Sequence, residues 1–262
     1  MKLTPPKKSG SSLLLTLLAV SPLMVVVLSF MVAASRPAGR PRSGKPAPHY
    51  PDFFPAALKW NITAVGLAMT QDFKNIRRLG CITDRAVNNR NCVLFPRRID
   101  NQWWRLDRPT YHGEGPWPEK PSVWINHSND ILSWPKANEK VLMQGLRSWE
   151  AKKIGANTPP VLTEAGWLFI YHGVDESYLY RLGAAILDAD DPRRVLYRTR
   201  DPILEPTEDY ELEGLHGGAL FPCGSVLKDG TFSVYYGAAD KCIGLASCKI
   251  DALLDHLTQL PA

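Results

Sequence analysis

Arg108, His172 and Asp240 occupy equivalent places in the sequence. Each closes an aromatic-rich run: "QWWRLDRP", "WLFIYHGV" and "TFSVYYGAAD". A cation, an imidazole and a carboxylate gathered at strand ends make a polar ligand site, because convergent polar groups in a concave setting orient what binds there. Taken singly, a histidine after a tyrosine at a strand end can equally bond a loop carbonyl. The matched positions in the other two runs favour the ligand contact. The five cysteines, Cys81, Cys92, Cys223, Cys242 and Cys248, suggest no metal centre, since no histidine or second cysteine pair accompanies Cys242 and Cys248. An odd number fits no disulfide framework, so buried, reduced thiols are expected.

The elements that would position these groups repeat along the chain. Pro96, Pro159 and Pro222 are each 63 residues from the next, and each opens a strand, a turn and an aromatic strand. A third element follows in each unit: "VWINHSNDILSW" from Val123, "YRLGAAILDADDPRRV" from Tyr180 and "IGLASCKIDALLDHL" from Ile243. An earlier copy, "VGLAMTQDFKNIRRLG", starts at Val65. Aromatic and β-branched residues bounded by turn residues read as strands. A period of this length with several short strands per unit is the pattern of a β-propeller, whose units bury a core only by stacking. Arg108, His172 and Asp240 then ring one funnel mouth. The repeat also has a fault. The copy at Val65 lacks its own proline, turn and aromatic strand, so the chain enters the propeller partway through a blade, with about three and a half blades of sequence.

Composition is that of an ordinary globular protein, with 45% hydrophobic and 22% charged residues among 262. The net charge of +5 is largely local to Lys2, Lys7, Lys8, Arg36, Arg40, Arg42 and Lys45, which excludes a nucleic-acid-binding face elsewhere. Between them, "SLLLTLLAVSPLMVVVLSFMVAAS" carries no charge and exceeds the roughly 20 residues needed to cross a bilayer. The expected division is a basic tail over 1–12, one membrane-spanning helix over 13–34, a Pro- and Arg-rich linker over 35–60, and a partial propeller over 61–262. The helix would anchor the chain in a membrane; the other reading is a signal peptide cut near Ala33–Ser35, giving a secreted protein. Asn61-Ile-Thr63 and Asn126-His-Ser128 are glycosylation sequons that matter only in a eukaryotic lumen.

The segments "NRNCVLFPRRIDNQWWRLDRP", "KIGANTPPVLTEAGWLFIYHGV", "YRLGAAILDADDPRRVLYRTRDPILEP" and "FSVYYGAADKCIGLASCKIDALL" resemble, in order, the β-mannoside phosphorylases of glycoside hydrolase family 130. The resemblance runs from about Val65 to Leu257. It implies an all-β, five-bladed propeller that cleaves β-mannosides with inorganic phosphate as co-substrate and no other cofactor, giving α-mannose 1-phosphate. It places phosphate on Arg90, Arg108 and His172, and sugar hydroxyls on Asp240, with Tyr180 and Arg181 lining the same mouth. Arginine suits the first role because its planar fork pairs with phosphate oxygens bidentately. Two departures stand out. The family's general acid, an Asp in an "EDPR"-like motif ahead of the Val65 element, has no counterpart, and Asp52 lies too close to Val65 to match. Gly218 stands where the family typically has Asn. The resemblance therefore leaves three expectations: an active phosphorylase, a catalytically impaired glycan- or phosphate-binding propeller, or part of a propeller joined to a foreign N-terminus. A blade seam left open would expose strand edges and favour homo-oligomers.

Overall fold

The computed structural model describes residues 16–20, 23–28, 64–84, 87–110 and 120–259, the first two segments by their backbone. Their strands form four antiparallel sheets in chain order. The first holds β1 (Thr16–Val20), β2 (Leu23–Leu28), β3 (Gly66–Thr70) and β4 (Arg77–Cys81). The second holds β5 (Asn88–Leu94), β6 (Trp103–Thr110), β7 (Val123–Ser128) and β8 (Lys140–Met143). In the third, β9 (Lys153–Ala156) and β10 (Val161–Thr163) both pair with β11 (Gly166–Val174), followed by β12 (Tyr180–Leu187) and β13 (Val195–Arg198). The fourth holds β14 (Leu220–Lys228), β15 (Thr231–Ala238) and β16 (Cys242–Lys249). Helix α1 (Asp209–Leu212) precedes the fourth sheet and α2 (Ile250–Thr258) follows it.

The third element of each unit begins at Gly66, Val123, Tyr180 and Cys242, within one residue of where the repeat puts it. Hairpin turns explain the intervening polar pairs. Asp100 and Asn101 have φ of 50° and 58°, and Asp229 and Gly230 have 49° and 69°. Positive φ at both central residues is what a two-residue hairpin requires, and Asn, Asp and Gly tolerate it best.

Sheets pack face to face, which is why β11 is buried along its whole length. Trp167, Phe169 and Tyr171 point toward the second sheet and meet Phe95, Leu106 and Trp149. Leu168 and Ile170 point toward the fourth sheet and meet Phe232, Tyr236 and Leu253 of α2. Each such side chain contributes about 1.5–3 kcal/mol by leaving water. A smaller cluster of Val65, Leu67, Ile82, Cys92 and Leu94 joins the first sheet to the second. The five cysteines are free and at least partly buried.

The helix expected over 13–34 is not formed. Residues 16–20 and 23–28 are strands, and β2 pairs with β3 from Met24↔Thr70 to Leu28↔Gly66. The physical reason lies in the repeat fault. β3 is a third-strand element whose inner edge needs backbone partners, and "LMVVVL" is rich in β-branched valine. The first sheet thus begins in the apolar segment, ahead of the domain boundary expected at residue 61. Among the described residues no helix is long and apolar enough to cross a membrane. The rest of 13–34, the linker over 35–60, Asp52 and Asn61 lie outside the described residues. The other sequon residue, Asn126, is 1% exposed on β7, opposite Arg105 of β6.

Candidate anion-binding site

Antiparallel pairing of β5 with β6 sets Arg90 directly across from Arg108. Side chains so paired lie on one face, about 5 Å apart at Cβ. A bulge between Arg90 and Val93 carries Asn91 at φ 57° and turns it toward the same place. From the neighbouring sheet, β9 sets Gly155 opposite His172. A Cβ at Gly155 would lie 2.7 Å from His172 Cε1, 2.9 Å from Arg108 Nη1 and 3.1 Å from Asn91 Oδ1. Three side chains from three strands therefore converge over a backbone that admits only hydrogen. Arg108 Nη1 stands 3.0 Å from His172 Nε2, and His172 Nδ1 stands 2.5 Å from Asn157 Oδ1. Arg108 is 6% exposed and His172 is fully buried.

Lys153 joins this group from the start of β9, with its ammonium 4.9 Å from the centre of the Tyr180 ring. Burial, then the charges of Arg108 and Arg90, push its pKa down to about 8. Burial also brings Arg108 down to about 10, with the Tyr180 hydroxyl opposing that shift and Arg90 adding to it; the guanidinium stays charged near neutrality. His172 is held well below the usual imidazole range by burial, then by Arg108 and Lys153, so it is neutral. Its ring lies 5.5 Å from Tyr180 and 5.0 Å from Phe221. Tyr180 meets His216 edge-on at 5.3 Å. Asp240 sits exposed on the β15–β16 turn at φ 51°; burial raises the Tyr180 pKa, Arg108 opposes that shift, and the charge of Asp240 adds to it. Gly218 has φ +77°, and its carbonyl accepts from the Tyr180 N–H at 3.0 Å.

Of the six residues singled out in the sequence, the structure brings Arg90, Arg108, His172 and Tyr180 together and sets Asp240 beside them. Arg181 is a correction. Alternation along β12 turns it away from Tyr180 to the opposite face, where Gly173, its cross-strand partner, abuts Trp149. There it donates to Asp175 at 2.6 Å and to Glu205 at 3.1 Å, in a separate cavity of about 900 Å³ shared with Arg200 and His256. Lys153 and Asn157 were not singled out. Their signal is the period of two: Lys153, Gly155 and Asn157 lie on one face of the inner strand, the face that His172 shares.

A second polar cluster lies between the first and second sheets. Arg105 donates to the Ile82 carbonyl and pairs with Asp107 at 3.1 Å and Glu139 at 3.8 Å. Burial, reinforced by Asp107, raises Glu139 to about 7 against the opposing pull of Arg105.

Sheets stacked face to face, with two arginines and a lysine converging where they meet, define an all-β protein with a buried cationic site. The chain belongs to glycoside hydrolase family 130: residues 56–259 match the family described as β-1,4-mannooligosaccharide phosphorylase. It is 37% identical over 206 residues to the β-1,4-mannooligosaccharide phosphorylase of Ruminococcus albus, covering 77% of this chain and 59% of that protein. It is 36% identical over 196 residues to a β-1,2-mannobiose phosphorylase of Listeria innocua, covering 74% of this chain and 53% of that one. A crystal structure of the Listeria innocua β-1,2-mannobiose phosphorylase with β-1,2-mannobiose is similar at a TM-score of 0.76 and 29% identity, over 93% of this chain and 59% of that chain. The chain thus spans between half and three-fifths of the length of these relatives.

Proposed function

We propose that this chain holds inorganic phosphate on Arg90, Arg108 and Lys153, and a β-mannoside beside Tyr180 and Asp240, in a phosphorolysis site. The observation that carries the reading is the convergence of these cations on the buried Arg108–His172 pair above Gly155. Bidentate guanidinium contacts suit a phosphate dianion and leave one oxygen to attack the anomeric carbon. That C–O bond forms as the glycosidic C–O bond breaks, and the departing oxygen takes a proton from an acid. We further propose that the four sheets are blades of a five-bladed ring, and that the acid step is the weak one. No "EDPR"-like motif precedes the Val65 element, and among the described residues the carboxylate whose charge reaches Tyr180 is the exposed Asp240.

The test is phosphate-dependent release of mannose 1-phosphate from β-1,4- and β-1,2-mannobiose, run beside the Ruminococcus albus enzyme, with calorimetric titration of phosphate in parallel. The expected result is phosphate binding with turnover at least about 10²-fold slower, the low end for loss of acid assistance. Comparable turnover would show that another carboxylate supplies the proton. No binding of phosphate would overturn the site itself. Binding without any turnover would favour the second reading, a glycan- and phosphate-binding propeller, which the missing acid motif supports.

A further inference from the structure

The polar cluster between the first and second sheets keeps hydrogen-bonding capacity that the protein does not use. It borders a cavity of about 340 Å³, inside the range of roughly 300–1,000 Å³ in which small molecules are held. Asn89, Arg105 and Asn126 line its buried part, and Leu132, Ser133 and Lys136 are exposed at its rim. Asn89 Nδ2 donates to Asp107 Oδ2 at 3.0 Å, which fixes the amide so that Asn89 Oδ1 is an acceptor. That atom, Asn126 Oδ1 and the donor Arg105 Nε have no hydrogen-bond partner among the described residues, and neither has Asp107 Oδ1 beside them. None of the four residues is more than 3% exposed. Buried polar atoms are normally paired, so unpaired ones gathered along one cavity mark a place that a ligand completes.

These atoms are of both kinds, and that selects the ligand. A metal cation would answer the amide oxygens but face the Arg105 guanidinium, and among the described residues no set of three His, Cys, Asp or Glu side chains is placed to hold one. An anion would answer Arg105 but face Glu139 together with Asp84 and Asp107, whose charges reach it. A hydroxyl both donates and accepts, so a neutral ligand that carries several hydroxyls pairs with all of them. Trp134 adds an aromatic wall to the same cavity, with the Arg105 guanidinium 4.7 Å from the ring centre. From this juxtaposition we infer that the cavity between the first and second sheets is a second ligand site, which takes one pyranose sugar, free or at the end of an oligosaccharide. It is separate from the anion site. Asn89 alternates with Arg90 along β5, and Asp107 with Arg108 along β6, so the two sites lie on opposite faces of the second sheet. The inference therefore does not rest on the phosphorolysis reading.

The experiment follows Trp134 in the full chain labelled with 15N-tryptophan, its indole signal assigned by the loss of that signal in Trp134→Phe. A saturable shift with D-mannose or with β-1,4-mannotriose supports the site, and the tighter of the two tells a free sugar from a chain end. No shift with either overturns it. An equal shift with glycerol also overturns it, since the cavity would then take any small hydroxyl compound. Asn126→Leu removes one amide at nearly the same volume and should weaken the sugar about tenfold, the upper end for one hydrogen bond, while a thermal melt confirms a folded chain. Ser133→Tyr fills the exposed rim and should abolish the shift; it covers the case in which the Asn126 variant does not fold. An undiminished response in either folded variant would overturn the site. Arg108→Ala acts on the other face of the sheet and should leave the Trp134 response unchanged. A response lost with Arg108 would put the sugar at the anion site and sink the second one. Absence of phosphate binding with the Trp134 response intact would sink the phosphorolysis reading and leave the second site standing.

Discussion

At the scale of single residues, the proposed phosphate site should depend on pH through Lys153. Its pKa of about 8 means that the site loses one positive charge as pH rises from about 7 to about 9. Phosphate affinity should fall across that interval, although phosphate itself becomes no less anionic. Lys153→Arg should flatten the profile, because guanidinium stays charged, and Lys153→Met should give low affinity throughout; calorimetric titrations at three pH values check it. The stability effect has the opposite sign. Between about 8 and 10.5 the unfolded chain binds the proton that the folded one has released, so this group makes stability rise with pH there. Arg108 carries a different expectation. Arg108→Ala should weaken phosphate about 10–100-fold, the equivalent of one charged hydrogen bond at about 1.5–3 kcal/mol, and leave mannose affinity nearly unchanged. Equal losses for both ligands would make Arg108 a structural residue.

At the scale of elements, the apolar N-terminal segment behaves as strand because a neighbouring edge needs it. β2 supplies β3 with backbone partners along its length. Val26→Pro removes a ladder donor in mid-sheet, opposite Ala68, and should lower the melting temperature measurably. Deleting residues 1–45 should lower it further. A melting curve unchanged by either would show that the first sheet does not depend on β2. Here sequence and structure part for a definite reason. Charge and length describe what solvent a segment tolerates, and an uncharged, valine-rich run tolerates both a bilayer and a sheet interior. Pairing between residues 23–28 and 66–70 is a long-range choice that local pattern does not encode. The strands around Arg108 and His172 were legible, since turns such as Asp100-Asn101 and Asp229-Gly230 and the repeated aromatic runs are local signals. Arg181 was placed wrongly because a motif gives position along a strand, whereas alternation decides the face.

On the scale of the whole molecule, the sheets are joined by contacts with their own chemistry. Arg105 ties the second sheet to the first through the Ile82 carbonyl, with Asp107 and Glu139 around it. Glu139 has its folded pKa raised from 4.5 to about 7, so the folded chain keeps a proton that the unfolded one has lost. Stability from this source is complete below about pH 4.5 and is lost as pH rises through about 7. Glu139→Gln should remove that slope from urea melts taken between pH 5 and 8; a slope that persists would assign it to another group. The same sheet gives Asn126 a further meaning. That residue is 1% exposed, yet it heads a sequon, and a bulky glycan needs its nitrogen accessible at the surface. In a glycosylating lumen, closure of the β6–β7 hairpin and attachment of the sugar are mutually exclusive fates of one nitrogen. Carbohydrate found there would mark a molecule caught before its second sheet closed, and bare asparagine one that folded first, so occupancy would keep a clock of the chain's maturation.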